Sequence, residues 1–256
     1  MTKLRVLDLF SGIGGFSLGL ERTGGFETVA FCEIEPFPRK VLAKHWPEVP
    51  CYEDVTKLTG DILARDGIAV DVITGGFPCQ DISCAGKKAG IGEGTRSGLW
   101  SEIVRLIGEL SPRYVIVENV AALLSGPSEQ RGGWFGRILS DLAECGYDAE
   151  WENIPAAAMG APHRRERVWI VAYPTKVKFT GQLLSKHNSK IHHDFPRTSL
   201  LPPYSLGMVQ GDGSYNLRHG DGFSNFLGQL NGYGNAVVPQ IPELIGNAIL
   251  AAEAAK

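Results

Sequence analysis

Cys79 follows an apolar run and two glycines in Val72-Ile73-Thr74-Gly75-Gly76-Phe77-Pro78-Cys79-Gln80. Such a segment reads as a strand leaving a sheet, and it sets a thiol at the carboxyl edge, where open α/β sheets hold ligands. As a thiolate it is a nucleophile; as a buried thiol it is only a small hydrophobe, and the residue alone leaves both readings open. Pro78 stiffens the approach. The stretch 81–98 then carries Gly86, Gly90, Gly92, Gly94 and Gly98 among Lys87, Lys88 and Arg96. A glycine-hinged basic loop beside a thiol suits a lid that closes on a polyanion. Glu118 and Asn119 end another apolar run, where a glutamate is either a solvated strand end or an acid–base partner. Arg165 and Arg167 share one face if their segment is extended, since side chains alternate there. Two guanidiniums on one face can grip a carbonyl oxygen and a phosphate.

A second cluster could hold a nucleotide-like ligand. In Asp8-Leu9-Phe10-Ser11-Gly12-Ile13-Gly14-Gly15-Phe16 glycines follow a strand and open a helix, so the backbone turns sharply and a ligand meets no Cβ. Ser17 stands where the dinucleotide fingerprint has its third glycine, so the pattern is not that fingerprint. Glu33 lies 21 residues after Gly12, at the end of the next strand, a place from which a carboxylate holds ribose hydroxyls. Asp54 follows a short apolar segment and can accept from an exocyclic amine of an adenine. A tight strand–helix turn with no ligand is the plain alternative.

The elements that must position these groups alternate in type. Strands are expected at Leu4–Phe10, Thr28–Glu33, Val70–Thr74, Tyr114–Val117 and Val168–Ala172, and helices near Gly15–Arg22, Phe37–His45, Leu99–Leu110 and Gly133–Glu144. That alternation predicts a parallel sheet covered by helices. Residues 175–231 are rich in Gly, Ser, Asn, His and Pro and form a smaller, irregular region. Ile241, Leu244, Ile245, Ala248 and Ile249 mark one face of a last helix that begins near Pro239 or Pro242. At 256 residues the chain can bury one good-sized core. A hydrophobic content of 43% and a charged content of 21% are ordinary for a soluble globular protein. No apolar stretch approaches membrane-spanning length. Five cysteines without a regular framework argue against zinc and for free thiols in a reducing cytoplasm. The net charge of −3 excludes a protein that coats nucleic acid through bulk electrostatics, although His163–Thr198 carries eight Lys or Arg against two acids.

Taken in order, Asp8–Phe16, Gly76-Phe77-Pro78-Cys79-Gln80, Glu118-Asn119-Val120, Arg165-Glu166-Arg167 and Gly234-Asn235-Ala236-Val237-Val238 resemble the motif series of the DNA cytosine-C5 methyltransferases, the bacterial and phage modification enzymes. The resemblance covers residues 4–172 and 232–250. It implies an α/β fold with a Rossmann-like, mostly parallel sheet of the S-adenosylmethionine-dependent methyltransferase type. It divides the chain into a catalytic and cofactor-binding domain (1–174), a small target-recognition region (175–231) and a C-terminal segment (232–256) that packs back on the catalytic domain.

The resemblance also implies roles. Cys79 adds to C6 of a flipped-out cytosine, Glu118 serves N3, Asn119 orients the loop that carries Cys79, and Arg165 and Arg167 steady the base or that loop. Phe10, Gly12, Ile13, Gly14, Gly15, Glu33, Ile34, Asp54, Val55, Pro78, Leu99, Asn235, Ala236 and Val237 fall on S-adenosyl-L-methionine, with S-adenosyl-L-homocysteine as product and no metal. Gln80, Ser83, Lys87, Lys88 and Arg96 fall on double-stranded DNA. A monomer serving restriction-modification or phage DNA protection is expected, with a cognate restriction endonuclease as a companion in the cell. Two departures stand out: His163 replaces the usual glutamine before the paired arginines, and only about sixty residues separate Tyr173 from Gly234. That interval, with six basic and three acidic residues between Tyr173 and Leu230, has a charge of +3, enough for phosphate contacts. Its brevity keeps open a tRNA cytosine-C5 methyltransferase and a catalytically silent DNA-binding homologue. A nucleotide-dependent redox enzyme using Cys79 is disfavoured by the missing third glycine and by the arginine pair.

Overall fold

The computed structural model describes residues 2–78, 99–126, 133–161, 165–176 and 236–255. Seven strands form one sheet in the order β3-β2-β1-β4-β5-β7-β6. They are β1 (Leu4–Leu9), β2 (Phe26–Cys32), β3 (Cys51–Tyr52), β4 (Val72–Gly75), β5 (Tyr114–Val120), β6 (Tyr147–Pro155) and β7 (Glu166–Pro174). Strands β1 to β5 are mutually parallel, and β7 runs antiparallel to both β5 and β6. Among the described residues six α-helices accompany them: α1 (Gly15–Arg22), α2 (Pro36–His45), α3 (Gly60–Arg65), α4 (Trp100–Leu110), α5 (Gly133–Glu144) and α6 (Gln240–Ala254).

The period-two alternation of side chains sorts the strands into two cores. Leu7, Leu9, Ile73, Val115, Val117 and Ile170 face Leu63 of α3, Ile103 and Leu106 of α4 and Ile138 of α5. On the other face Val6, Val72, Ile116, Trp169 and Val171 meet Phe16 and Leu20 of α1 and Ile241, Ile245 and Ile249 of α6. The strands are apolar on both faces because both are covered. In the same alternation Asp8, Thr74 and Glu118 belong to the α1–α6 face, near the carboxyl ends of their strands.

Strands β3 and β6 and helix α3 are absent from the sequence expectations. Tyr147-Asp148-Ala149-Glu150-Trp151-Glu152-Asn153-Ile154-Pro155 is full of poor strand formers, and its pairing with β7 residue for residue makes it a strand. Cross-strand packing overrides propensity at such an edge. Helix α3 is only six residues long, too short to show a period, and is capped by Thr59, whose hydroxyl accepts from the Ile62 N–H at 3.3 Å.

Helix α6 returns to lie on α1 through a seam of small residues. A Cβ at Gly15 would stand 2.6 Å from the Val237 carbonyl oxygen, and one at Gly19 would run into the Pro239 carbonyl oxygen. Tyr114 Oη and Arg113 secure the far end on Glu253 of α6. An alanine inside a helix normally gains about 0.5–1 kcal/mol over glycine. Gly19→Ala is expected to reverse that sign, because overpacking costs about 1–3 kcal/mol, and to lower the melting temperature of the full chain. A raised melting temperature in a thermal scan would show the seam to be looser than described.

Candidate active site

The carboxyl ends of the parallel strands collect the chemistry. Leu9, Cys32 and Gly75 lie side by side in register, and Gly75 pairs with Val117. The residues that follow each of them, Phe10, Glu33, Gly76 and Glu118, therefore share one edge. Open α/β sheets bind ligands in the crevice there.

After β1 the backbone turns through left-handed conformations at Phe10 (φ 52°), Gly12 (φ 52°) and Gly14 (φ 86°). Such a φ is unusual for phenylalanine and ordinary for glycine. A Cβ at Gly14 would press on the Trp46 ring at 2.7 Å, whereas one at Gly12 would meet nothing within 4 Å. The turn is thus closed beneath Gly14 and open beside Gly12. Glu33 fastens it from β2: its Oε2 accepts from the Gly12 N–H at 2.7 Å and its Oε1 from the Glu35 N–H at 2.8 Å. Burial pushes the Glu33 carboxyl up, against the pull of those two amides. Each carboxylate oxygen has two acceptor sites, so both can still take a ligand hydroxyl. Ile34 beside it is 67% exposed, a bare apolar surface at the same edge.

Asp54 accepts from the Thr56 N–H and hydroxyl, and the hydroxyl in particular holds its carboxyl below the usual range. The Val55 side chain is buried, and its carbonyl, like that of Leu58, accepts from Arg105 of α4. Ile13, Pro78, Leu99, Ala236 and Val237 are half-buried. Val237 closes over Gly15.

Glu118 is 9% exposed, and the Arg167 Nε lies 2.9 Å from its Oε1. Because β7 is antiparallel, Arg167 pairs with Val120 and Trp169 with Glu118, so the first residues of β7 arrive beside the last ones of β5. Burial pushes the Glu118 carboxyl up, while the charges of Arg167 and Arg165 pull the other way. Burial lowers Arg165, with Arg167 as a like-charged neighbour and Glu118 opposing. Asn119 Nδ2 donates to the Phe77 carbonyl at 3.4 Å, and its Oδ1 accepts from the Val120 N–H at 2.8 Å. The exit of β4 is held further by Phe77, whose ring packs on Trp100 at 5.5 Å. Cys79, Gln80, Ser83, Lys87, Lys88, Arg96 and Asn235 lie outside the described residues, as do His163 and nearly all of 175–231.

Sequence reasoning passed over two supports. Asp8, fully buried, accepts from Ser17 Oγ and Thr74 Oγ1, each at 2.8 Å; burial pushes its carboxyl up to about 7. An aspartate inside an apolar strand was the available signal. Trp46 lies beneath the glycine turn, with its indole N–H on Glu21 at 2.9 Å; nothing in the sequence tied it to residue 14. Among the described residues no group of three or more His, Cys, Asp or Glu could hold a metal ion, and no helix is long and apolar enough to cross a membrane.

This strand order, with its glycine turn after β1 and acidic residue after β2, defines an α/β protein with the fold of the S-adenosylmethionine-dependent methyltransferases. Comparison with known proteins narrows the class. Residues 4–211 match the family described as C-5 cytosine-specific DNA methylase, and the chain belongs to that family. The Type II methyltransferase M.Sau3AI of Staphylococcus aureus is 38% identical over 202 residues, covering 75% of this chain and 48% of that protein. The Type II methyltransferase M2.BsuMI of Bacillus subtilis (strain 168) is 37% identical over 173 residues, covering 66% of this chain and 42% of its own. The chain thus spans about half the length, or less, of these relatives. A candidate DNA modification methyltransferase encoded within an E. coli prophage superposes with a TM-score of 0.58 at 28% identity, over 70% of this chain and 49% of that one. A Spodoptera frugiperda DNMT2 variant shares the fold with a TM-score of 0.56 at 20% identity, over 70% of this chain and 53% of its own.

Proposed function

We propose that this chain transfers a methyl group from S-adenosyl-L-methionine to C5 of a cytosine flipped out of double-stranded DNA, through a covalent bond between Cys79 Sγ and C6. The observation that carries this reading is the buried Glu118–Arg167 pair at the sheet edge, beside the Asn119 side chain that holds the Phe77 carbonyl two residues before Cys79. C5 of cytosine is a poor nucleophile until something adds at C6. The Cys79 thiolate adds there, and Glu118 meets the charge that develops at N3 with a hydrogen bond or a proton. Its raised affinity for a proton suits that task. Arg165 and Arg167 keep the carboxyl oriented and face the base. When bound, S-adenosyl-L-methionine supplies an electrophilic methyl group on a sulfonium. Loss of the C5 proton then expels the Cys79 thiolate.

The glycine turn fits that ligand: Gly12 offers open space beside its Cα, Glu33 retains acceptor sites for ribose hydroxyls, and Ile34 offers an exposed apolar face for adenine. The base must leave the stack, at a cost of roughly a few kcal/mol. In this reading Gln80, Ser83, Lys87, Lys88 and Arg96 meet the DNA, the +3 segment 175–231 supplies target recognition, and the activity serves DNA modification alongside a cognate endonuclease. The test is transfer of labelled methyl from S-adenosyl-L-methionine to unmodified duplex DNA, with bisulfite mapping of the product. Label at cytosine C5 of the duplex is expected; label in tRNA but never in duplex DNA would overturn the choice of substrate.

A further inference from the structure

Asp8 occupies a core position between strand neighbours on both sides, where an apolar side chain would incur no desolvation. Its carboxylate has what an apolar side chain lacks: two oxygens able to accept from two separate elements at once. Oδ2 takes the hydroxyl of Ser17, in the first turn of α1, and Oδ1 takes that of Thr74, directly opposite in register on β4, both at 2.8 Å. The N-cap of α1 is Gly14, which has no side chain to cap the helix; the carboxylate reaches that first turn from the strand below. The Asp8 carbonyl also accepts from Ser11 Oγ at 2.5 Å, inside the glycine turn. Thr74 stands at the other end of the link, five residues before Cys79. One buried residue thus links the glycine turn, through its carbonyl, and the first turn of α1, through its side chain, to the strand that leads to the thiol.

We infer that Asp8 is a positioning residue that couples the cofactor turn to the strand delivering Cys79, so that filling the turn aligns the nucleophile. The inference rests on the reading of function above, and its test has an arm that does not. Asp8→Asn preserves the shape but puts an amide donor where one hydroxyl had an acceptor. In the full chain it should weaken S-adenosyl-L-homocysteine binding about tenfold. At saturating S-adenosyl-L-methionine it should also slow, by a similar factor, adduct formation with DNA containing 5-fluorocytosine. Ser17→Ala should reproduce mainly the binding loss and Thr74→Val mainly the slower adduct, and in the Asp8→Asn background neither should add its full effect.

The activity-independent arm is amide hydrogen exchange. Ser17→Ala should speed exchange at residues 73–77, the end of β4 and its exit, while leaving β5 and β7 protected, and should do so no further once Asp8 is asparagine. Exchange that rises evenly through the sheet, or that stays at parent rates in β4, would overturn the coupling. So would an Asp8→Asn chain whose binding and adduct rate per folded site equal the parent's. A parent that forms no adduct would instead sink the proposed function, and the exchange pattern would still decide the role of Asp8.

Discussion

Cys79→Ala should abolish methyl transfer, with a loss of at least ~10,000-fold in kcat, while binding of S-adenosyl-L-homocysteine stays at the parent's level. The size follows from what is removed. Without an atom to add at C6, C5 never acquires nucleophilic character. Losing the nucleophile of a covalent mechanism characteristically costs that much or more. In the proposed reading cofactor binding is separable, because the glycine turn after β1, Glu33 after β2 and Val237 before α6 are held by contacts among themselves. The same exchange should remove the covalent adduct with 5-fluorocytosine DNA, which in the proposed mechanism accumulates in the parent because no C5 proton remains to be lost. Substantial residual transfer by the alanine chain, or an adduct still formed without the thiol, would end the covalent mechanism.

Glu118→Gln is expected to lower kcat by ~100- to 10,000-fold with little change in the KM for S-adenosyl-L-methionine. Glutamine keeps the size and can still donate to N3, so binding of the base survives. It has no proton to transfer and no charge for Arg167, whose side chain is 24% exposed and bonded to Glu118 at 2.9 Å. The pH profile separates these roles. Burial raises the Glu118 carboxyl, so its acid form persists to higher pH than that of a free glutamate and is lost as pH rises through the raised value. In the proposed mechanism Cys79 must be ionised and requires the opposite, so the parent's rate should rise and then fall with pH. In Glu118→Gln the descending limb should vanish while the ascending limb, set by the thiol, remains. A variant with kcat within about tenfold of the parent, or with the descending limb intact, would remove Glu118 from the acid's role.

The elements that bear the motifs are largely legible in the sequence. Helix α5 agrees with its expected bounds, and β1, α4 and β7 differ by a residue or two at their ends. These segments carry their own instructions: a period of two or 3.6, and glycine or proline at a boundary. Strand β6 carries no such instruction, since acidic and amide residues sit where strand formers are expected, and only its register with β7 defines it. The support of the site was hidden for a related reason. Asp8, Ser17 and Thr74 read singly as an odd aspartate and two ordinary hydroxyl residues, and Trp46 as one more apolar ring near a helix end.

By itself the sequence determined the kinds of group available and the local backbone that presents each: a thiol after a stiffened strand exit, a glutamate at a strand end, two arginines in an extended segment, and a glycine turn open to a ligand. These depend on neighbours in the chain, where steric and periodic constraints act. Only the tertiary structure decided who meets whom. The antiparallel insertion of β7 between β5 and β6 brings Arg167 onto Glu118 rather than to the far edge of the sheet. The parallel register of β1 and β4 sets Asp8 against Thr74, and the return of α6 along a glycine seam closes Val237 over Gly15. Those contacts join residues far apart in the chain, and no local periodicity encodes them. They form because two apolar faces of one sheet must both be buried, and this order of strands and helices covers them.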